Sequence, residues 1–257
     1  MGFVLTAMIA GICYATVGVH PCSTKQFDKY ATGSAGYLEA LKDLAIQARD
    51  SGHATAFGEI GLDYDRLFLA PKETQLKYFE TQLDLATELQ MPLFLHSRAC
   101  SEDFERLLQP RLNRLPKRGL VHSFTGTVEE MQRLVAMGFD IGVNGCSMKT
   151  EHNISVVKEI PLERLQIETD GPWVRSAPNT KRMISLLTIR IQCEMRPSHA
   201  SARYLEGAPE LSMKAVKKEK WQKGLMIKGR NEPVTILKVA YAIAKIKEIS
   251  IEKLTDA

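Results

Sequence analysis

The sequence lacks the features that would place it in a membrane or among disulfide-bonded miniproteins. No window approaches the ~18 consecutive apolar residues of a spanning helix. The five cysteines are scattered and form no CxxC pair, which favours a reducing cytoplasmic or nuclear setting. The composition, 44% hydrophobic and 25% charged over 257 residues, is that of an ordinary globular chain and excludes disorder.

Outside one short segment, the chain also lacks an excess of positive charge. The formal net charge is +4, which taken alone would point to a nucleic-acid partner. Residues 174–192, however, contain Arg175, Lys181, Arg182 and Arg190 and no acidic residue. The remainder therefore sums to zero, and global basicity is no argument for DNA binding. The basic run from Lys214 to Arg230 is read as a solvated face, with contact to a DNA backbone as the alternative.

Short β-rich runs alternate with amphipathic helical patterns. Helical spacing of apolar residues recurs around residues 38–48 and 76–86, and Thr127 with Glu130 forms a capping-box start for a helix running to Met137. Such alternation predicts parallel βαβ units. The predicted strands cover residues 14–20, 56–62, 92–96, 119–124, 139–144 and 165–169.

Four polar residues stand at or near the carboxyl ends of these predicted strands: Glu59, His96, His122 and Asp170. Six strands could form an open doubly wound sheet or most of a barrel. In a barrel the carboxyl ends of all strands converge on one site, whereas the ends of non-adjacent strands in an open sheet lie farther apart. The TIM-barrel type of α/β fold is therefore favoured.

Taken singly, each of these residues is more simply explained as structural, for example as a turn former or a satisfied core histidine. Taken together, four buried polar groups on one face are costly without a shared partner. A divalent cation would satisfy them at once. Two imidazoles with two carboxylates suit zinc or manganese, and carboxylates with waters suit magnesium.

The motifs around these residues resemble the TatD family of metal-dependent deoxyribonucleases. They are VGVHP (17–21), GEIGLD (58–63), LHSR (95–98), HSF (122–124) and ETDGPW (168–173), followed by RPSHAS (196–201) and KGRNEP (228–233). The resemblance implies a TIM-barrel hydrolase of the amidohydrolase superfamily that cuts DNA with a divalent ion, magnesium first, with zinc or manganese as alternatives.

The resemblance also implies roles for individual residues. Glu59, His96, His122 and Asp170 would bind metal, and Glu59 and Asp170 would act in catalysis. His20 and Arg98 would contact the substrate, with Arg98 placed to meet a phosphate. DNA is then the expected partner, with no membrane and no obligate protein partner.

The sequence departs from the family pattern in three respects, of which one is a C-terminal helix shorter than the family's. The HxH pair that opens the family's first strand is absent, so an incomplete barrel lacking the first two strands is expected, with at most one tightly bound ion. Residues 174–192 interrupt the family pattern and read as an insertion within a single domain spanning 1–257. Two alternatives stay open: a small-substrate hydrolase of the same superfamily, and a noncatalytic remnant.

Overall fold

The computed structural model describes residues 13–171, 203–208, 214–228 and 230–257. The insertion predicted at residues 174–192 and the motif at residues 196–201 lie outside the described residues, so both stay predictions. The six predicted strands are confirmed to within a few residues, and two short strands follow them. The strands are β1 (Ala15–Val17), β2 (Ala54–Asp63), β3 (Leu93–Arg98), β4 (Gly119–His122), β5 (Asp140–Val143), β6 (Leu165–Ile167), β7 (Ala215–Val216) and β8 (Met226–Ile227).

Helices separate most of these strands, as the alternation of patterns predicts. The helices are α1 (Gln26–Lys29), α2 (Gly33–Asp50), α3 (Lys72–Leu89), α4 (Ser101–Leu108), α5 (Val128–Ala136), α6 (Glu151–Glu159), α7 (Ile236–Lys247) and α8 (Ile251–Thr255). The capping box of α5 is confirmed, because Thr127 and Glu130 exchange hydrogen bonds of 2.9 and 3.2 Å. Helix α6 contains His152, and its start is capped by the Thr150 hydroxyl.

The chain divides into two compact units. Of the described residues, the first unit contains those up to His122 together with Leu134–Asp140, and the second contains Ser123–Arg133 and those from Ile141 onward. In the first unit four parallel strands follow one another in the order β1, β2, β3, β4. Among the described residues β1 pairs with β2 alone.

The core of the first unit is built from aromatic and aliphatic side chains of the strands and of the helices that cover them. Phe27 stacks on Tyr78 with ring centroids 4.2 Å apart, and Phe79 stacks on Phe104 at 5.3 Å. Phe57 on β2 is fully buried in the same core. Burial of side chains of this size contributes most of the favourable free energy of folding.

Two buried glutamines of α3 form hydrogen bonds with the backbone of neighbouring segments. Gln82 accepts a hydrogen bond from the backbone N–H of Val19 at 2.8 Å and donates one to the carbonyl of the same residue at 3.1 Å. Gln75, two helical turns earlier, does the same with Asp63 at 2.7 and 2.9 Å. The two side-chain amides therefore fix the backbone immediately before His20 and at the end of β2.

The second unit contains the parallel pair β5 and β6, with Ile141 opposite Leu165, and the short parallel pair β7 and β8. Helix α7 packs its buried Val239 and Ile243 into this unit. Lys247 at its end donates to the carbonyls of Lys158 and Ile160, which close α6. A cation at a helix carboxyl end is favourable because it faces the negative end of the helix dipole.

Two properties of the surface are seen in the part of the chain that the structure describes. No described helix is long and apolar enough to cross a membrane. The lysines that follow β7 are exposed, as expected of a solvated basic face: Lys217, Lys218, Lys220 and Lys223.

The second glycine of the GEIG motif, Gly61, allows β2 and β3 to approach closely. Gly61 has φ +148°, and a Cβ atom added there would lie 1.9 Å from the carbonyl oxygen of His96. Both the backbone conformation and the available space therefore require glycine. This approach matters for the site, because His96 is the residue of β3 that lies opposite Gly61.

We expect Gly61→Ala to destabilise the protein by about 3 kcal/mol or more, because the added methyl group forces β2 and β3 apart in addition to the backbone cost of about 1–2 kcal/mol at positive φ. Thermal unfolding followed by circular dichroism measures the effect. Gly52→Ala is the matched control, since Gly52 also has positive φ (+72°) but a methyl group added there would meet no atom within 4 Å. Equal losses in the two variants would contradict the role of the close approach.

Candidate metal centre

Glu59 is the centre of a polar cluster in the first unit. Its Oε1 atom lies 2.6 Å from Nε2 of His122, 2.8 Å from Nδ1 of His96 and 3.4 Å from Nε2 of His20. The structure thus brings together Glu59, His96 and His122, the three residues that the sequence places at the ends of β2, β3 and β4, and adds His20 to them.

The sheet explains why these side chains converge. In the parallel pairing of β3 with β4, His96 lies directly opposite His122. The pairing of β2 with β3 shifts register between Gly58 and Ile60, at Glu59. A register shift of this kind re-aims a side chain and recurs next to active sites. His96 and His122 are almost fully buried, whereas the Glu59 side chain keeps 26% of its surface exposed.

Electrostatics keep the central carboxylate ionised. Burial would raise the pKa of Glu59, but the neighbouring imidazoles, His122 foremost, hold it well below its ordinary value. Burial lowers the pKa of His20 despite the opposing influence of Glu59, which keeps that imidazole neutral. An ionised carboxylate is the protonation state in which Glu59 binds metal.

The donor set fits a divalent ion. Ligand atoms at 2.0–2.2 Å from a tetrahedral zinc lie about 3.3 Å apart, and Nδ1 of His96 lies 3.4 Å from Nε2 of His122. The shorter distances from Glu59 Oε1, 2.6 Å to His122 and 2.8 Å to His96, need to lengthen by about 0.5–0.7 Å to reach this separation. His20, Glu59 and His96 offer ligand atoms within 4.8 Å of one another, and Nε2 of His122 lies 2.6 Å from Glu59 Oε1. Of these four residues, Glu59, His96 and His122 would hold the ion.

His20 belongs to the cluster, but its hydrogen bonding distinguishes it from a ligand. Its Nδ1 atom accepts a hydrogen bond from the backbone N–H of Cys22 at 3.1 Å. The proton of the neutral ring is therefore on Nε2, the nitrogen that faces Glu59. A protonated nitrogen donates hydrogen bonds and cannot bind metal. This geometry agrees with substrate contact, the role that the family resemblance implies for His20.

Asp63 is the residue of the cluster that the sequence patterns do not identify. Asp63 is fully buried at the end of β2. Its Oδ2 atom lies 3.2 Å from Nε2 of His96 and accepts a hydrogen bond from Arg66. The one signal in the sequence is its position four residues after Glu59, which puts both side chains on the same face of a strand.

Arg98 ends β3, opposite Asp63 in the neighbouring strand. Its Nε atom is buried and meets no hydrogen-bond acceptor among the described residues. A buried guanidinium nitrogen without an acceptor is costly, and a phosphate oxygen would satisfy it.

Asp170 lies in the second unit, in a turn with φ +54°. Asn231, from the KGRNEP motif, donates from Nδ2 to the carbonyl of Thr169, and the Thr235 hydroxyl donates to Asn231 Oδ1 at 2.8 Å. The last motif of the sequence thus fixes the backbone next to Asp170. Metal ligation by Asp170 stays a prediction.

The comparisons with known proteins identify the family. Residues 4–257 match the family described as TatD related DNase. This chain belongs to the TatD family. It is 46% identical over 242 residues to "Deoxyribonuclease Tat-D" of Schizosaccharomyces pombe, covering 94% of this chain and 71% of the relative. It is 40% identical over 165 residues to "3'-5' ssDNA/RNA exonuclease TatD" of Escherichia coli, covering 63% and 59% of the two chains.

The fold comparison agrees with the TatD assignment. The crystal structure of an uncharacterized amidohydrolase from Saccharomyces cerevisiae superposes with a TM-score of 0.79 at 34% identity, covering 95% of this chain and 77% of that one. The parallel α/β fold of the amidohydrolase type, expected from the alternation of strands and helices, is thereby confirmed, and so is membership of a metal-dependent hydrolase family.

The thiol of Cys22 next to this cluster should be unreactive. Burial, followed by the charge of Asp63, whose Oδ2 lies 3.7 Å from the sulfur, raises the pKa of Cys22 to about 12. At pH 8 its thiolate fraction would be about 10³-fold below that of an ordinary cysteine of pKa ~8.5. Iodoacetamide should therefore modify Cys22 at least that much more slowly, as measured by peptide mass spectrometry.

Cys13, which is free and exposed, is the internal control in the same sample and should react at once. Both cysteines should react alike in denaturant. Equal rates in the native protein would show that the environment described for Cys22 is wrong.

Proposed function

We propose that this chain hydrolyses phosphodiester bonds of DNA through a divalent ion held by Glu59, His96 and His122. The observation that carries the proposal is the meeting of the Glu59 carboxylate with both imidazoles, at 2.8 and 2.6 Å. The donor set of nitrogen and oxygen atoms favours zinc or manganese over magnesium, which prefers oxygen ligands and retains waters. Asp170 keeps its expected roles as a further ligand and proton acceptor.

A bound ion supplies Lewis-acid activation of water and neutralises charge that develops on the phosphoryl group. The protein contributes the rest. Arg98 would bind a nonbridging phosphate oxygen through the guanidinium nitrogen that is buried without an acceptor among the described residues. His20 Nε2–H would donate to an oxygen of the substrate, with its proton held on that nitrogen by the Cys22 backbone.

Single-stranded DNA is the proposed substrate, because the relative from Escherichia coli is named an exonuclease of single-stranded DNA and RNA. RNA is the second candidate on the same ground. A cytoplasmic or nuclear place of action stays a prediction from the cysteine pattern, and the expectation of no obligate protein partner likewise stays a prediction.

Metal loading should stabilise the protein and support its activity. Zinc or manganese at 100 times its dissociation constant should contribute about 2.7 kcal/mol, equivalent to a rise in Tm of roughly 5–10 °C. Elemental analysis should find at most one tightly bound ion per chain. Release of nucleotides from a fluorescently labelled single strand should require that ion and disappear on chelation.

Glu59→Ala and His122→Ala should each abolish both the rise in Tm and the nuclease activity. The matched control is His53→Ala, since His53 is an exposed histidine whose side chain contacts Ser51 outside the cluster. Metal binding without cleavage of DNA or RNA would favour a noncatalytic remnant, and metal-dependent cleavage of small esters or amides alone would favour the small-substrate alternative. Either result would overturn the proposal.

A further inference from the structure

Asp63 holds the nitrogen of His96 that faces away from Glu59. Nδ1 of His96 lies 2.8 Å from Glu59 Oε1, and Nε2 of the same ring lies 3.2 Å from Asp63 Oδ2. The imidazole is therefore contacted by a carboxylate at each of its two nitrogens. The two carboxylates differ in their surroundings, because Asp63 is fully buried and the Glu59 side chain is 26% exposed.

Hydrogen bonds from Gln75 and Arg66 fix the position of Asp63. The buried side chain of Gln75 binds its backbone N–H and its carbonyl, at 2.7 and 2.9 Å. Arg66 donates to the same Oδ2 atom that faces His96. The guanidinium of Arg66 thus forms an ion pair with the carboxylate of Asp63. An ionised carboxylate only accepts hydrogen bonds. Glu59 and Asp63 therefore compete for the ring proton of His96 in the metal-free chain, and an ion on the side of Glu59 leaves Nε2, which faces Asp63, as the nitrogen that keeps the proton.

A neutral imidazole carries one proton. If that proton is on Nε2 and points to Asp63, the lone pair of Nδ1 points to the space shared with Glu59 and His122. Buried lone pairs directed at one another repel unless a cation lies between them. Asp63 itself is not in a position to take the place of His96 as a ligand, because it contacts the nitrogen on the far side of the ring.

We propose that Asp63 is a positioning residue of the metal centre, which fixes the proton of His96 on Nε2 and thereby presents Nδ1 to the ion. The proposal rests on the proposed function, since it concerns the same ion. An acceptor behind a ligating histidine sets the tautomer and the orientation of the ring, and its removal typically reduces metal affinity 10–100-fold.

The experiment uses the full chain labelled with ¹⁵N-histidine and loaded with Zn²⁺. Long-range ¹H–¹⁵N correlations, assigned with a His96→Gln variant, should show a proton on His96 Nε2 that exchanges slowly with solvent, and metal bound at Nδ1. In Asp63→Asn this proton should exchange faster, and the dissociation constant for Zn²⁺, measured by competition with a chromogenic chelator, should rise 10–100-fold.

Asp65→Asn is the matched control. It makes the same substitution two residues after Asp63, at a side chain that is exposed to solvent. Its zinc affinity and its His96 signals should equal those of the unmodified chain. A purely structural role of Asp63 would lower the Tm of the metal-free protein without changing either readout at His96. If Asp63→Asn does not fold, the signals of the unmodified chain still decide the position of the proton.

Binding of His96 through Nε2, or unchanged zinc affinity in Asp63→Asn, would overturn the inference while leaving the proposed nuclease intact. Failure of the unmodified chain to bind zinc at all would overturn both. Zinc binding with the expected His96 signals but without DNA cleavage would support the positioning role and contradict only the proposed function. The readouts at His96 therefore separate the two claims.

Discussion

The contact of one carboxylate with three imidazoles is the interaction on which the first unit of this protein depends. Glu59 Oε1 lies within 3.4 Å of nitrogens from His20, His96 and His122. Polar groups gathered in this way give up hydration, and without a shared charge between them their burial is unfavourable. The surrounding structure must therefore hold them together, and most of the unusual features of this unit serve that purpose.

Helix α3 contributes through hydrogen bonds as well as through its apolar face. Gln75 and Gln82 are seven residues apart and so lie on the same side of the helix. Each satisfies both backbone groups of one residue, Asp63 and Val19 respectively. Satisfying buried backbone groups with a side-chain amide fixes a segment far more specifically than apolar packing does. One helix thereby aligns the segment that carries His20 with the strand end that carries Asp63.

The sequence predicts the frame of this site well. The alternation of strand and helix patterns locates β1 to β6, and the polar residues at predicted strand ends identify Glu59, His96 and His122. That succeeds because parallel strands put their carboxyl ends on one side, so position along a strand already contains the spatial information. The expected strand ends are met within a few residues at β2, β3 and β4.

Asp63 and the two glutamines could not be predicted in the same way, because their roles depend on contacts between distant segments. The sequence pattern of an amphipathic helix predicts that its glutamines are exposed to solvent. Only the packing of α3 shows that Gln75 is fully buried. Helix α6 escapes prediction for a related reason. Its sequence is rich in polar residues, and its start is determined by the Thr150 cap and the packing of Val156 and Val157.

The difference between His20 and the two other histidines shows how backbone groups assign chemical roles to identical side chains. All three imidazoles approach the same oxygen atom, so proximity alone would make His20 a candidate metal ligand like the others. The backbone N–H of Cys22 occupies Nδ1 of His20, which leaves its proton on the nitrogen that faces the site. His96 has a carboxylate behind it instead of a backbone donor, and the opposite polarity of that partner leaves a lone pair facing the site. His20 is thus a hydrogen-bond donor and His96 a proposed metal ligand within one cluster. The backbone N–H of Cys22 and the carboxylate of Asp63 determine these two roles.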